Sequence, residues 1–136
     1  MNLAFLEDFE DAYLKTPQGK GVFLAGVLLG YIASRQAGGE DSIKNAPLFK
    51  QLDFGRMNLS RLKKIMARVP TLVHHYDIQP SHLVNALAAE AGRLILAGGS
   101  KDLGADGNFA FTVGFGNGVE YFWKIFRKKE SEKDED

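Results

Sequence analysis

Arg61, Lys64 and Arg68 recur at spacings of three and four residues. On an α-helix these positions project within about 60° of one another. Lys63 stands to one side of that row, and His75 falls on its line if the helix runs past Pro70. No acidic residue lies between Gly55 and Tyr76, so the local sequence offers the row no counter-charge. Outward cations in a row can meet successive phosphates of a nucleic-acid backbone without reading its bases. Arg56, Lys50, Lys44 and Arg35 add positive charge from the flanking segments. These eight residues form the candidate nucleic-acid-binding set. The competing reading is a solvated helix face, but solvated faces ordinarily mix both signs of charge.

The charge map supports the same set. The chain has 136 residues and a formal net charge of zero, yet the charges are segregated. Residues 1–14 carry four acids and no base, and residues 15–68 carry ten bases against three acids. Residues 130–136 carry five acids against one base. A basic middle between acidic ends suits a polyanion.

Other chemistries have weaker support. His74, His75, Asp77 and His82 cluster in sequence, but adjacent histidines on a helix diverge by roughly 100°, and a metal needs converging ligands. No nucleophile is paired by spacing with a base or carboxylate. No catalytic residue, metal ligand or cofactor is therefore expected, and the protein is read as a non-enzyme. Gly114-Phe115-Gly116-Asn117-Gly118 has the composition of a nucleotide loop without its Lys-Ser/Thr. It reads better as close packing against the glycines of the second helix. Tyr31, Phe54 or Tyr121 could stack on unpaired bases if exposed, although such residues are more often core.

The elements that would position the basic row follow from hydrophobic periodicity. The fold expected is all-α, a compact bundle of five to six helices in one domain over residues 1–127, with a disordered acidic tail over 128–136. Leu3, Leu6, Phe9 and Tyr13 suggest a helix over 2–15. Thr16-Pro17 then starts a second helix to about Gln36, with Thr16 as N-cap. Its stretch from Val22 to Ala33 is apolar almost all round and belongs in the core. Gly21, Gly26 and Gly30 would let another helix approach closely. A loop at 38–42 and a short helix from Leu48 to Leu52 follow. Asn58 caps the helix that bears Arg61, Lys64 and Arg68. Pro70 should kink or split that helix. A further helix begins near Gln79-Pro80-Ser81 and ends at Gly98-Gly99. Residues 100–107 read as a loop, with a last helix capped by Asn108 and running to about Phe126. A strand around Phe109 to Phe115 also suits the alternation, but no partner strand is in view.

There is no cysteine, so thiolate metal sites and disulfides are excluded. The 12-residue apolar run Val22 to Ala33 is short of the roughly 20 residues a bilayer span needs, so no membrane contact is expected. The first charged residues are acidic, unlike a secretory signal. A cytoplasmic protein is expected.

Three segments in order, Val22-Phe23-Leu24-Ala25-Gly26-Val27-Leu28-Leu29-Gly30, Pro47-Leu48-Phe49-Lys50-Gln51-Leu52 and Met57-Asn58-Leu59-Ser60-Arg61-Leu62-Lys63-Lys64-Ile65, resemble the C-terminal helical region of the large subunit of type I-B CRISPR Cascade complexes. That region is also made separately, from an internal start codon, as the small subunit. The resemblance covers roughly residues 17–80. It implies a non-catalytic small subunit that sits with the large subunit, the backbone subunits and further copies of itself. It also implies contact with guide RNA, target DNA and the displaced strand through basic surfaces. The competing expectations are a helical protein-interaction module whose basic block meets an acidic partner, and a metal-dependent hydrolase using His74, His75, Asp77 and His82.

Overall fold

The computed structural model describes residues 1–126. Among them there are seven α-helices and no strand: α1 Pro17–Ala37, α2 Pro47–Gln51, α3 Leu59–Ala67, α4 Val69–Tyr76, α5 Ser81–Ala97, α6 Gly104–Gly116 and α7 Gly118–Phe126. The expected all-α bundle is present, with seven helices among the described residues where five to six were expected, because breaks at Arg68 and Asn117 each divide one. The tail expected over 128–136 lies outside the described residues.

α1 is the axis of the molecule. Thr16 Oγ1 accepts the Gly19 N–H at 3.0 Å, Pro17 opens the first turn, and Gly38 closes the last one at φ +83°. Glycine adopts that left-handed geometry without a Cβ penalty. Every residue from Gly21 to Ser34 is buried, which an apolar helix surrounded by other elements requires.

The glycines of α1 act as expected from their spacing. A methyl group at Gly21 would lie 2.8 Å from Ile95 on α5. At Gly26 and Gly30 it would run into the backbone carbonyls of Phe111 and Phe115 on α6. The approach is reciprocal, since a side chain at Gly114 would strike the Phe23 carbonyl and one at Gly118 would lie 2.8 Å from the Gly30 Cα. Within residues 114–118, Gly114 and Gly118 are thus packing devices, while Gly116 at the end of α6 meets nothing.

Four local expectations are corrected. Residues 2–15 form two 3-10 turns, Ala4–Asp8 and Ala12–Lys15, instead of one helix. The Asp11 carboxylate accepts the Tyr13 N–H at 2.9 Å, and this local bond competes with helical continuation. Residues Glu40–Asn45 form a 3-10 turn where a loop was expected to begin. The last helix begins at Gly104 and breaks at Asn117 between two glycines, giving α6 and α7. Asn108 does not cap it; its side chain instead brackets Met57, accepting the Met57 N–H at 2.7 Å and donating to its carbonyl at 3.0 Å. Pro70 does split the basic-row helix, at Arg68, into α3 and α4.

Candidate nucleic-acid interface

α3 is nine residues long and is fixed at both ends. Asn58 Oδ1 accepts the Arg61 N–H at 2.7 Å, and Asp102 Oδ1 accepts the Leu59 N–H at 2.8 Å. A carboxylate is favourable at this end of a helix. The Leu59 and Leu103 N–H groups both donate to Asp102 and hold its carboxyl below the usual range. This ties the loop after α5 to the start of α3. At the other end, Pro70 can donate no N–H, and the chain restarts as α4. Leu59, Leu62 and Ile65 are buried, while Ser60, Arg61, Lys63 and Lys64 are exposed on the remaining face.

All eight candidate cations are exposed. Arg68 sits at the α3–α4 junction and donates to the neutral Gln51 Oε1 at 2.6 Å, so its charge is held in place without being cancelled. That bond brings the end of α2, with Lys50, beside the end of α3. Lys63 and Lys64 make no ion pair among the described residues. Arg56 lies in the segment leading into α3, Lys44 on the 3-10 turn, and Arg35 near the end of α1, with its guanidinium 5.8 Å from the Tyr31 ring centroid. The helix break removes His75 from the α3 line.

One local expectation changes. Asp53, just upstream of the acid-free window, brings a carboxylate 3.8 Å from Arg61. Both side chains are about half exposed, at 46% and 50%. Exposed pairs of this kind contribute about 0–1 kcal/mol, so Arg61 is loosely countered and remains available to a stronger anion.

Two surface depressions flank α3. An open cleft of about 640 Å³ is lined by Ser60, Lys63, Lys64, Ser100 and Asp102. Across α3, a groove of about 280 Å³ is lined by Lys63, Met66, Ala88, Gly92 and Leu96 between α3 and α5. Lys63 borders both.

The three aromatic candidates for base stacking are packed internally. Tyr31 is 1% exposed, its ring lies 3.8 Å from that of Phe122, and its hydroxyl donates to the Gln79 carbonyl at 2.6 Å. Burial raises its pKa. Tyr121 stacks on Phe5, and Phe54 packs against Phe49, Phe111 and Phe115. Two aromatics are exposed among the described residues, Phe109 on α6 at 66% and Tyr76 at the end of α4 at 37%. The exposure of Phe109 was legible only from the register of α6, where Gly107, Ala110, Phe111, Gly114 and Phe115 form the buried face. The sequence reading also passed over Ser60, Ser100, Met66, Gly92 and Leu96, which carry no charge pattern.

His74, His75, Asp77 and His82 are all exposed. Among the described residues, no three His, Asp or Glu side chains are grouped as a metal site would need. No described helix is long and apolar enough to cross a membrane.

The family model for the C-terminal domain of CRISPR-associated protein TM1802 matches residues 2–129, and the chain belongs to that family. The match extends far beyond the residues 17–80 that carry the resemblance, taking in α5, α6 and α7. No curated protein and no solved structure matches the chain.

Proposed function

We propose that the chain is a non-catalytic small subunit of a type I-B Cascade surveillance complex, gripping nucleic-acid backbone without sequence preference. In this reading it stabilises the guide RNA–target DNA R-loop and the displaced strand in the cytoplasm. It sits there beside the large subunit, the backbone subunits and further copies of itself. Membership of a CRISPR-associated family supports the setting. The observation that carries the role is the outward face of α3, where Lys63 and Lys64 have no carboxylate partner among the described residues and Arg68 is held by a neutral amide.

Exchange of a DNA duplex for an RNA–DNA duplex is nearly balanced in energy, so backbone contacts can tip it. Each phosphate engaged adds roughly 0.9 to the salt-dependence slope on duplex, or about 0.7 on a single strand. The test is target capture by a complex carrying Arg61→Glu with Lys64→Glu. Weakened capture by a well-folded variant is expected. Unchanged capture would remove α3 from the interface. A protein-interaction module is the second reading, favoured by Phe109 at 66% exposure and Leu96 at 71%. Such a module would show no steeply salt-dependent binding to DNA or RNA.

A further inference from the structure

We propose that the groove between α3 and α5 receives an unpaired nucleobase from a single strand whose phosphates run past Lys63 and Lys64. This rests on the backbone-binding reading above and adds to it a preference for unpaired strands.

Gly92 is the first observation. A glycine inside a helix costs about 1 kcal/mol relative to alanine. Gly21, Gly26, Gly30 and Gly114 offset that cost by admitting a neighbouring backbone. Among the described interior helical glycines, Gly92 alone has nothing within 4 Å of where its Cβ would stand. Packing within the molecule therefore gives no reason for glycine there. What its missing side chain does is open the floor of the groove.

The second observation is the chemistry of the lining. Met66, Ala67, Ala88, Ile95 and Leu96 are apolar, and Lys63 is the one charged residue on the wall. Leu96 stands at the rim, 71% exposed. The volume of about 280 Å³ is near the lower end of small-ligand pockets, roughly 300 Å³. A nucleobase has apolar faces that side chains can sandwich once it has left its stack.

The third is continuity and charge complementarity. Lys63 lines both this groove and the cleft that holds Lys64, Ser60, Ser100 and Asp102, whose carboxylate already accepts the Leu59 and Leu103 N–H groups. An anionic backbone held at the lysines therefore passes the mouth of the groove, and a base attached to it can turn in. Duplex DNA keeps its bases paired and stacked, so it can use the lysines but not the groove.

The test is fluorescence anisotropy with the full-length chain at low salt. Three labelled probes of equal charge are compared: an oligothymidine strand, an abasic strand and a hairpin duplex. The wild-type protein should bind oligothymidine roughly tenfold more tightly than the abasic strand, an effect expected for one engaged base. Gly92→Leu fills the groove and should erase that difference while leaving abasic and duplex binding unchanged. Leu96→Ser, at an exposed position, should reduce the difference and serves if the leucine variant misfolds. Equal wild-type affinity for all three, with a steep salt dependence, overturns the base pocket and leaves the backbone reading standing. No binding to any probe overturns both. An undiminished base preference in Gly92→Leu, with lost self-association in sedimentation, would assign the groove to a second copy and overturn the proposal.

Discussion

The α1–α6 interface and the α3–α5 flank use the same residue type to opposite effect. Along α1 and α6, glycine brings backbones together, and aromatic rings such as Phe23, Phe111 and Phe122 fill the space around them. On the α5 flank, Gly92 meets nothing. The difference separates a glycine that serves folding from one that leaves surface open. The same division holds for charge. The described ion pairs join Glu7 to Lys15 and to Lys20 at the start of α1, Arg61 to Asp53, and Arg93 to Glu90 within α5, while Lys63 and Lys64 form no ion pair among the described residues.

Substitutions break this comparison in graded steps. Gly26→Leu should be the most damaging, because the new side chain meets the Phe111 carbonyl in the α6 backbone. A loss of about 3 kcal/mol is expected, measured by chemical denaturation. Lys63→Glu with Lys64→Glu should lower nucleic-acid affinity at least tenfold while leaving the thermal midpoint close to wild type, since both side chains are exposed. Asn58→Ala removes the α3 cap and should cost about 1 kcal/mol. Gly92→Ala should go the other way, stabilising by about 0.5–1 kcal/mol, because the position is helical and unobstructed.

The smallest effect is one of pH. The folded-state pKa of Asp102 is lowered by the Leu59 and Leu103 N–H groups. Its contribution is present above the ordinary aspartate pKa of about 3.9 and is lost as pH falls through the lower folded value. Asp102→Asn should therefore flatten the acid limb of the stability profile below about pH 4. An unchanged limb would show that the α3 anchor does not depend on that charge.

Much of the fold was legible because its signals are local. Thr16-Pro17, Asn58 and Pro70 each act within one turn, and each does what its chemistry dictates. The apolar run in α1 announced a surrounded helix, and its glycines announced close packing. Residues 2–15 misled because period-three spacing suits a 3-10 turn as well as an α-helix, and Asp11 decides between them by bonding Tyr13. The break at Asn117 falls in Gly116-Asn117-Gly118, a local breaker that the aromatic residues on either side obscured. The basic row was legible as charge spacing. Its partner Asp53, the neutral brace Gln51 and the groove at Gly92 come from segments 8 to 31 residues away from Arg61 in sequence, and only folding reveals them.

The central claim is that α3 presents cations to a polyanion. The most direct measurement is the affinity of the full-length protein for a single-stranded oligonucleotide across a salt series. It should be set beside the variant in which Lys63 and Lys64 are both glutamate. The account predicts a log–log slope for the wild type that corresponds to at least two phosphate contacts, steeper than about −1.4, and a markedly shallower slope for the variant. A wild-type slope near zero, or identical slopes for the two proteins, would contradict it.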